Sequence, residues 1–278
     1  GFLGDGINDI PALNEANVGI SVDTAVDAAK DAADVVLLQK DLNVLEQGIL
    51  EGRKTFTNML KYIKITASSN FGNIFAIVCA SAFLPFLPMT SVQLLLLNLL
   101  YDILCIVLPW DNVDEEETMS PRDWSGKTLG RFMMSFGPIS SLFDIATFLF
   151  LYYFLCPMLC GGATYLNLTD PALQLQYVSL FQTGWFLESM WTQVLILHFL
   201  RTHKVPFVQS RPSASVICIT LAGVFAFTAI TFTSGASLFG LTKLPFWYFV
   251  FLLIVALVYM LLTTVAKYFY QKKYHELI

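Results

Sequence analysis

The chain has 278 residues, of which 56% are apolar and only 13% carry a charge. Soluble domains carry about 25% charged residues, so the composition indicates that lipid surrounds much of this chain. The net charge of −5 and the lack of a basic stripe with interleaved aromatic residues argue against nucleic acid as a partner.

The first 41 residues predict a partial α/β domain. The predicted elements are a strand end at 1–3, a helix at 11–17, a strand at 18–22, a helix at 24–33 and a strand at 34–38. Because the first strand has no visible beginning, we interpret the chain as the C-terminal part of a larger protein.

A short acidic loop follows the first predicted strand. Gly4 and Gly6 flank Asp5, and glycine tolerates left-handed backbone geometry. Asp9 follows four positions later, near the start of a helix. Carboxylate oxygens beside exposed backbone N–H groups are what Mg²⁺ and phosphate require together. An ordinary acidic turn is the alternative interpretation.

A long helix is predicted to begin after Asp41, which suits an N-cap. No proline occurs from residue 42 to about 82. At 1.5 Å per residue, such a helix would extend roughly 60 Å, enough to cross a bilayer and reach into the cytoplasm. We therefore expect a stalk helix at 42–64 that continues into the membrane.

Six apolar runs have the length of a membrane-spanning helix. They lie at about 65–84, 91–109, 132–155, 177–199, 214–233 and 246–266. The fold class expected is a mainly α-helical polytopic membrane protein, with a six-helix domain at 65–269 and a tail at 270–278.

The positive charges predict the orientation of these spans. Of the sixteen Lys and Arg residues, only Lys243 falls in a predicted outer loop. The positive-inside rule then places both ends of the chain on the cytoplasmic side of a cell membrane. The acidic run at 111–117 falls in a cytoplasmic loop and is interpreted as solvated, with a cation-collecting patch as the alternative.

Polar side chains recur along one face of each of the first two predicted spans. They are Thr66, Ser69, Asn70 and Asn73 in the first and Asn98, Tyr101 and Asp102 in the second. Ionisable residues at this depth cost roughly 2.5–3.5 kcal/mol on insertion scales, so they are functional candidates. We expect a cation site around Asp102, with interhelical hydrogen bonding as the alternative. One carboxylate with neutral oxygens favours Mg²⁺ over Ca²⁺ without settling the ion.

Two further carboxyl groups lie within predicted spans. Asp144 falls in the third span and Glu188 in the fourth. Each is a candidate to complete the cation site, to relay a proton, or to anchor helices through a buried hydrogen bond.

Two parts of the sequence resemble a known family. Residues 4–13, Gly-Asp-Gly-Ile-Asn-Asp-Ile-Pro-Ala-Leu, resemble the Gly-Asp-Gly-x-Asn-Asp-x-Pro-Ala-Leu signature of P-type ATPases, found in a phosphorylation domain of the haloacid-dehalogenase type. Residues 61–73 resemble the fifth transmembrane segment of bacterial magnesium-transporting P-type ATPases, and residues 98–102 followed by 109–112 resemble the sixth. Residues 136–141 and 205–210 fit the same subfamily.

The resemblance implies catalytic roles for the acidic loop. Asp5 would bind the catalytic Mg²⁺ together with Asp9, while Asn8 and Asp9 would help to place the phosphoryl group and the attacking water. Gly4 and Gly6 would complete the loop. ATP would be the substrate, bound mainly by domains outside this chain.

The resemblance also implies a transported-ion site at Asn70, Asn73, Asn98 and Asp102, with Tyr101, Asp144 and Glu188 as further candidates. Transport of Mg²⁺ would be inward. The phosphorylated aspartate, the actuator and nucleotide-binding domains and the first four spans would lie upstream, so this chain alone should not hydrolyse ATP. A pump for Ca²⁺ or another cation, a channel with a degenerate phosphatase-like domain and a membrane scaffold are the alternatives.

Overall fold

The computed structural model describes residues 1–275 and 277. It divides into two compact units, Gly1–Thr55 and the residues from Phe56 onward. The boundary between them falls within one long helix.

The first unit is a small α/β structure around a three-stranded sheet. Its strands are β1 (Phe2–Leu3), β2 (Gly19–Val22) and β3 (Val35–Leu37), all parallel and in the order β1-β2-β3. Two short helices, α1 (Ile10–Glu15) and α2 (Asp27–Asp31), connect the strands. The element order agrees with the predicted one.

The second predicted helix is shorter than expected because a turn precedes it. The backbone N–H of Ala25 donates to the carbonyl of Val22, so the chain bends before α2 begins. The core of this unit consists of four buried side chains from α1, β2, α2 and the turn: Leu13, Val22, Ala25 and Ala29.

The long helix α3 (Leu42–Ser81) has 40 residues. Asp41 stands at its start, and the Asp41 carboxylate accepts a hydrogen bond from the backbone N–H of Asn43 at 2.9 Å. This is the contact that an N-cap residue makes with the first turn of a helix. The absence of proline from this stretch lets the helix continue unbroken.

Seven α-helices follow α3 among the described residues. They are α4 (Ser91–Cys105), α5 (Glu115–Thr118), α6 (Gly126–Phe150), α7 (Cys156–Leu159), α8 (Pro171–Leu200), α9 (Ala214–Ile230) and α10 (Phe246–Tyr274). A π-helical turn at Leu151–Leu155 joins α6 to α7.

Four segments of the described chain are long and apolar enough to cross a membrane. They are Leu42–Ser81, Ser91–Trp110, Gly126–Leu159 and Phe246–Tyr274. The other two predicted spans correspond to α8, which has 30 residues, and to α9, a shorter apolar helix of 17 residues. A membrane protein with several spanning helices is therefore confirmed, and the number six stays a prediction.

Small residues bring α3 and α6 into close contact. A Cβ atom on Gly137 would lie 2.6 Å from a ring carbon of Phe71 and 3.3 Å from the carbonyl oxygen of Ser68. Across the same crossing, the Ser141 hydroxyl donates to the carbonyl oxygen of Gly72 at 2.8 Å. Small residues at such crossings allow helix backbones to approach closely in membranes.

The acidic run is only partly solvated. Asp111 and Glu117 are buried, so their interpretation as solvated loop residues was wrong. The physical reason is charge pairing, because Asp111 Oδ2 lies 2.5 Å from Arg201 Nε and 3.5 Å from Lys61 Nζ. Glu117 pairs with Arg122 in the same way. Buried carboxylates are tolerated when cations compensate them.

The close approach of α3 and α6 leads to a stability prediction. Replacing Gly137 by Val should lower the free energy of unfolding by about 1–3 kcal/mol, the usual cost of overpacking. Thermal unfolding in detergent measures the change. Gly130→Val is the matched control, because it lies on the same helix with nothing within 4 Å of its added Cβ. Equal losses in both variants would contradict the proposed contact.

Candidate functional sites

Parallel strands bring Asp5 and Lys40 to the same edge of the sheet. Asp5 lies just beyond β1, and Lys40 lies three positions beyond the last residue of β3. The carboxyl ends of parallel strands form one edge of a sheet, and ligands bind at that edge in α/β folds. Lys40 Nζ lies 2.8 Å from Asp5 Oδ2. Sequence reasoning missed Lys40, although its position after the third strand was a usable signal.

Backbone hydrogen bonds fix the shape of the acidic loop. One carboxylate oxygen of Asp9 accepts from the backbone N–H groups of both Asp5 and Gly6, each at 3.0 Å. The carbonyl of Gly4 accepts from the Ser21 hydroxyl at 2.9 Å. Asp9 therefore orders the loop that carries Asp5.

The left-handed geometry that glycine permits is not used in this loop. Gly6 has φ −111°, and Gly4 is not among the residues with positive φ. The requirement for glycine at position 4 is steric instead, since an added Cβ would lie 2.5 Å from Asp9 Cβ. Any larger residue would push away the carboxylate that holds the loop.

The loop faces an open cleft of about 430 Å³. Asp5 and Asp9 line this cleft, and Asn8 is exposed beside them in the sequence. The hydrogen bond and the positive charge of Lys40 lower the pKa of the Asp5 carboxyl, so Asp5 is ionised at neutral pH. The Lys40 ammonium stands beside Asp5 as a cation would, and the donors are hard carboxylate oxygens. These residues fit Mg²⁺ with a phosphate group.

The predicted cation-site residues differ in burial. Asn73 is 4% exposed, and its amide nitrogen has no hydrogen-bond acceptor among the described residues. Tyr101 is also 4% exposed, and its hydroxyl lies beside Thr66. Asn98 is half-buried, whereas Asn70 is exposed. Asn73 and Tyr101 therefore face the interior of the helix bundle.

Asp102 is exposed. The expectation that its carboxylate lies in the interior was therefore wrong for the part of the chain that the structure describes. It lies near Tyr62 of α3, whereas Asn70 is two turns further along that helix. Exposed apolar side chains surround Asp102 on α4, among them Leu99 and Ile106. Periodicity defines a helix face but does not show which residues cover it.

Asp144 and Glu188 lie together. Asp144 on α6 is 1% exposed and Glu188 on α8 is fully buried. The two side chains are within hydrogen-bonding range of each other. Trp185 Nε1 also donates to Asp144 Oδ1 at 2.6 Å. The contacts of this carboxyl pair therefore join α6 to α8.

The sequence is similar to characterised transport proteins along nearly its whole length. It is 48% identical over 274 residues, 99% of this chain, to magnesium-transporting ATPases, P-type 1, of Salmonella typhimurium strain LT2 and Escherichia coli K12. It is also 30% identical over 159 residues, 55% of this chain and 18% of the relative, to a calcium-transporting ATPase of Bacillus subtilis.

The chain spans 29% of the length of the two magnesium-transporting relatives. The family model of the cation transporting ATPase C-terminus matches residues 86–269. These matches confirm the resemblance seen in the sequence. The chain belongs to the family of cation-transporting ATPase C-terminal regions.

Proposed function

We propose that the full-length protein is a P-type ATPase that couples ATP hydrolysis to Mg²⁺ transport across the cell membrane, in the inward direction. The observation that carries this proposal is the 48% identity to magnesium-transporting ATPases over 99% of the chain. That match extends over both the acidic loop and the polar helices, the two parts in which the chemistry is expected.

The acidic loop is proposed to act in phosphate turnover, as part of a haloacid-dehalogenase-like phosphorylation domain. Asp5 would hold the catalytic Mg²⁺, which when bound neutralises charge on a transferring phosphoryl group. Asp9 keeps the backbone N–H groups of Asp5 and Gly6 aligned. Asn8, which is exposed, would orient the phosphoryl group or the attacking water.

The transported ion is proposed to bind between α3 and α4. Asn70, Asn73 and Asn98 would supply amide oxygens and Asp102 the carboxylate, with Tyr101 beside them. Mg²⁺ suits one carboxylate with several retained waters. Because an ionised carboxylate is costly against hydrocarbon, the exposed face around Asp102 requires a protein cover. The first four spans of the longer polypeptide are proposed to supply it.

The proposed topology has six spans, with α8 and α9 as the fourth and fifth, and places both ends of the chain in the cytoplasm. Residues 1–41 would belong to the phosphorylation domain, 42–64 to the stalk, 65–269 to the membrane domain and 270–278 to the tail. Since α3 runs without a break from Leu42 to Ser81, movement of its first half would reach Asn70 and Asn73. The actuator and nucleotide-binding domains would be the other partners.

The metal dependence of the full-length protein in liposomes tests the proposal. ATPase activity should rise with Mg²⁺ at a fixed ATP concentration and should be accompanied by Mg²⁺ uptake. Stimulation by Ca²⁺ instead would favour a calcium pump. Ion flux without ATP hydrolysis would favour a channel with a degenerate phosphatase-like domain.

Asp5→Ala should block hydrolysis of the phosphoenzyme, because the variant lacks the carboxylate that faces the cleft. Rapid-quench measurement of phosphoenzyme decay in the full-length protein detects the effect, expected to exceed about 100-fold, as for other losses of preorganised charge stabilisation. Glu15→Ala, at an exposed position on α1, is the control. Normal turnover in Asp5→Ala would refute the assigned role.

Asp102→Asn should abolish Mg²⁺ transport while the protein still folds, since the amide keeps the shape and removes the charge. The apparent Mg²⁺ affinity should fall by more than about tenfold, the lower limit for losing a supporting group around a metal. Asp170→Asn serves as the control, because Asn is an equally good N-cap for α8. Retained transport would remove Asp102 from the ion site.

Asn73→Glu should shift ion preference towards Ca²⁺, because Ca²⁺ takes more anionic oxygen ligands than Mg²⁺. Asn73 is buried, and in the proposed site a carboxylate there would add a second anionic ligand. The ratio of apparent Ca²⁺ and Mg²⁺ affinities for ATPase stimulation measures the shift. Asn14→Glu, an exposed position on α1, should leave the ratio unchanged. An unaltered ratio in Asn73→Glu would count against its placement.

A further inference from the structure

One oxygen of the Asp5 carboxylate is already held by a cation of the chain itself. Lys40 Nζ donates a hydrogen bond to Asp5 Oδ2 at 2.8 Å, and the two groups form an ion pair. Mg²⁺ binds carboxylate oxygens at about 2.0–2.1 Å. Because like charges repel at such short separations, an ammonium and a metal ion cannot both stay on this oxygen without a large cost.

The backbone on both sides of Lys40 is fixed. Before it, the carbonyl of Leu37 at the end of β3 accepts from the backbone N–H of Asp23 at 2.9 Å. After it, the backbone N–H of Asp41 donates to the carbonyl of Gln39 at 2.9 Å, and the Asp41 carboxylate caps the first turn of α3. The base of the Lys40 side chain is therefore held at the edge of the sheet, within reach of Asp5.

The side chains of the pair are free to separate. The Lys40 side chain is 65% exposed and that of Asp5 is 54% exposed. Ion pairs between exposed side chains are weak, since water and salt screen them. The Lys40 ammonium can therefore leave Asp5 by turning into the cleft, while its backbone and the acidic loop stay in place.

The charges that line the cleft favour replacement of the ammonium by a divalent cation. Three carboxylates, from Asp5, Asp9 and Asp41, line it together with the ammonium of Lys40. Asp9 Oδ2 is engaged by backbone N–H groups of the loop, and Asp41 by the first turn of α3. A doubly charged ion compensates more of this negative charge than one ammonium does. Asp5 is the carboxylate at which the exchange can take place.

We propose that Lys40 is a resident counter-ion of Asp5 that competes with the catalytic Mg²⁺ and so sets the metal concentration at which this site fills. The inference rests on the proposed role of Asp5 as a metal ligand. Lys40 itself is not a ligand, because an ammonium has no lone pair to offer a metal. At low Mg²⁺ concentration Asp5 stays paired with Lys40, and at high concentration the ammonium is displaced.

Binding of Mn²⁺, a paramagnetic substitute for Mg²⁺, tests the competition in the full-length protein in detergent without ATP. Electron paramagnetic resonance measures free and bound Mn²⁺, and the metal lost in Asp5→Ala is the metal that Asp5 holds. Lys40→Gln should bind this Mn²⁺ about 1.5- to 5-fold more tightly, the factor that corresponds to the strength of exposed ion pairs. Weaker binding in Lys40→Gln would overturn the proposal.

Lys30→Gln is the matched control, because it removes the same charge from the same unit. Lys30 pairs with Asp27 of α2 at 2.9 Å and is not among the residues that line the cleft. This variant should keep the parent affinity for Mn²⁺, and Lys40→Arg should stay closer to the parent than Lys40→Gln does. Equal tightening in Lys30→Gln and Lys40→Gln would show a general effect of charge and would contradict direct competition.

The salt dependence of Mn²⁺ binding gives a second test. The screening length falls from about 10 Å at 0.1 M salt to about 3 Å at 1 M, so the affinity ratio between Lys40→Gln and the parent should shrink towards one over this range. A ratio that does not change with salt would contradict an ion pair as its cause.

The same measurements separate this inference from the proposed function. An unchanged Mn²⁺ affinity in Lys40→Gln, with binding that still depends on Asp5, would overturn the competition and leave the proposed function intact. If Asp5→Ala lost no bound Mn²⁺, the role of Asp5 as a metal ligand would itself be refuted, and the competition with it.

Discussion

Hydrocarbon offers no hydrogen bonds, so every polar group in the apolar helices must find a partner inside the protein or bind something. The described residues satisfy this constraint in different ways. Asp111 is compensated by the cations Arg201 and Lys61. Asp144 accepts a hydrogen bond from Trp185 Nε1 of α8. Asp102 forms no ion pair among the described residues, and the proposed function assigns an external cation to it.

The two units of the chain carry different kinds of polar site. In the first unit, charge is gathered at the open edge of a parallel sheet, where Asp5 and Lys40 face a cleft. In the second, polar side chains interrupt the apolar surfaces of α3 and α4. The proposed function assigns phosphate chemistry to the first unit and ion binding to the second, and α3 begins directly after Asp41 and also carries Asn73.

Local features of the sequence were sufficient for much of this description. Asp5 and Asp9 are four positions apart, so their loop could be inferred from the sequence, and Asp41 correctly marked the start of α3. Contacts between distant positions could not be inferred. Lys40 reaches Asp5 only because β1 and β3 are parallel, and Asp144 meets Glu188 only because α6 crosses α8. The expectation that Asp102 is buried was the main error, because periodicity defines a helix face without showing which residues cover it.

The central claim is that Asp102 and the amides of α3 and α4 bind one ion inside the membrane. A structure of the full-length protein with bound Mg²⁺, at a resolution that shows the ion, tests it most directly. The account predicts the ion within reach of Asp102 and Asn98, with Mg²⁺–oxygen distances of about 2.0–2.1 Å or one water between. An Asp102 side chain in contact with lipid, with the ion bound elsewhere, would contradict it.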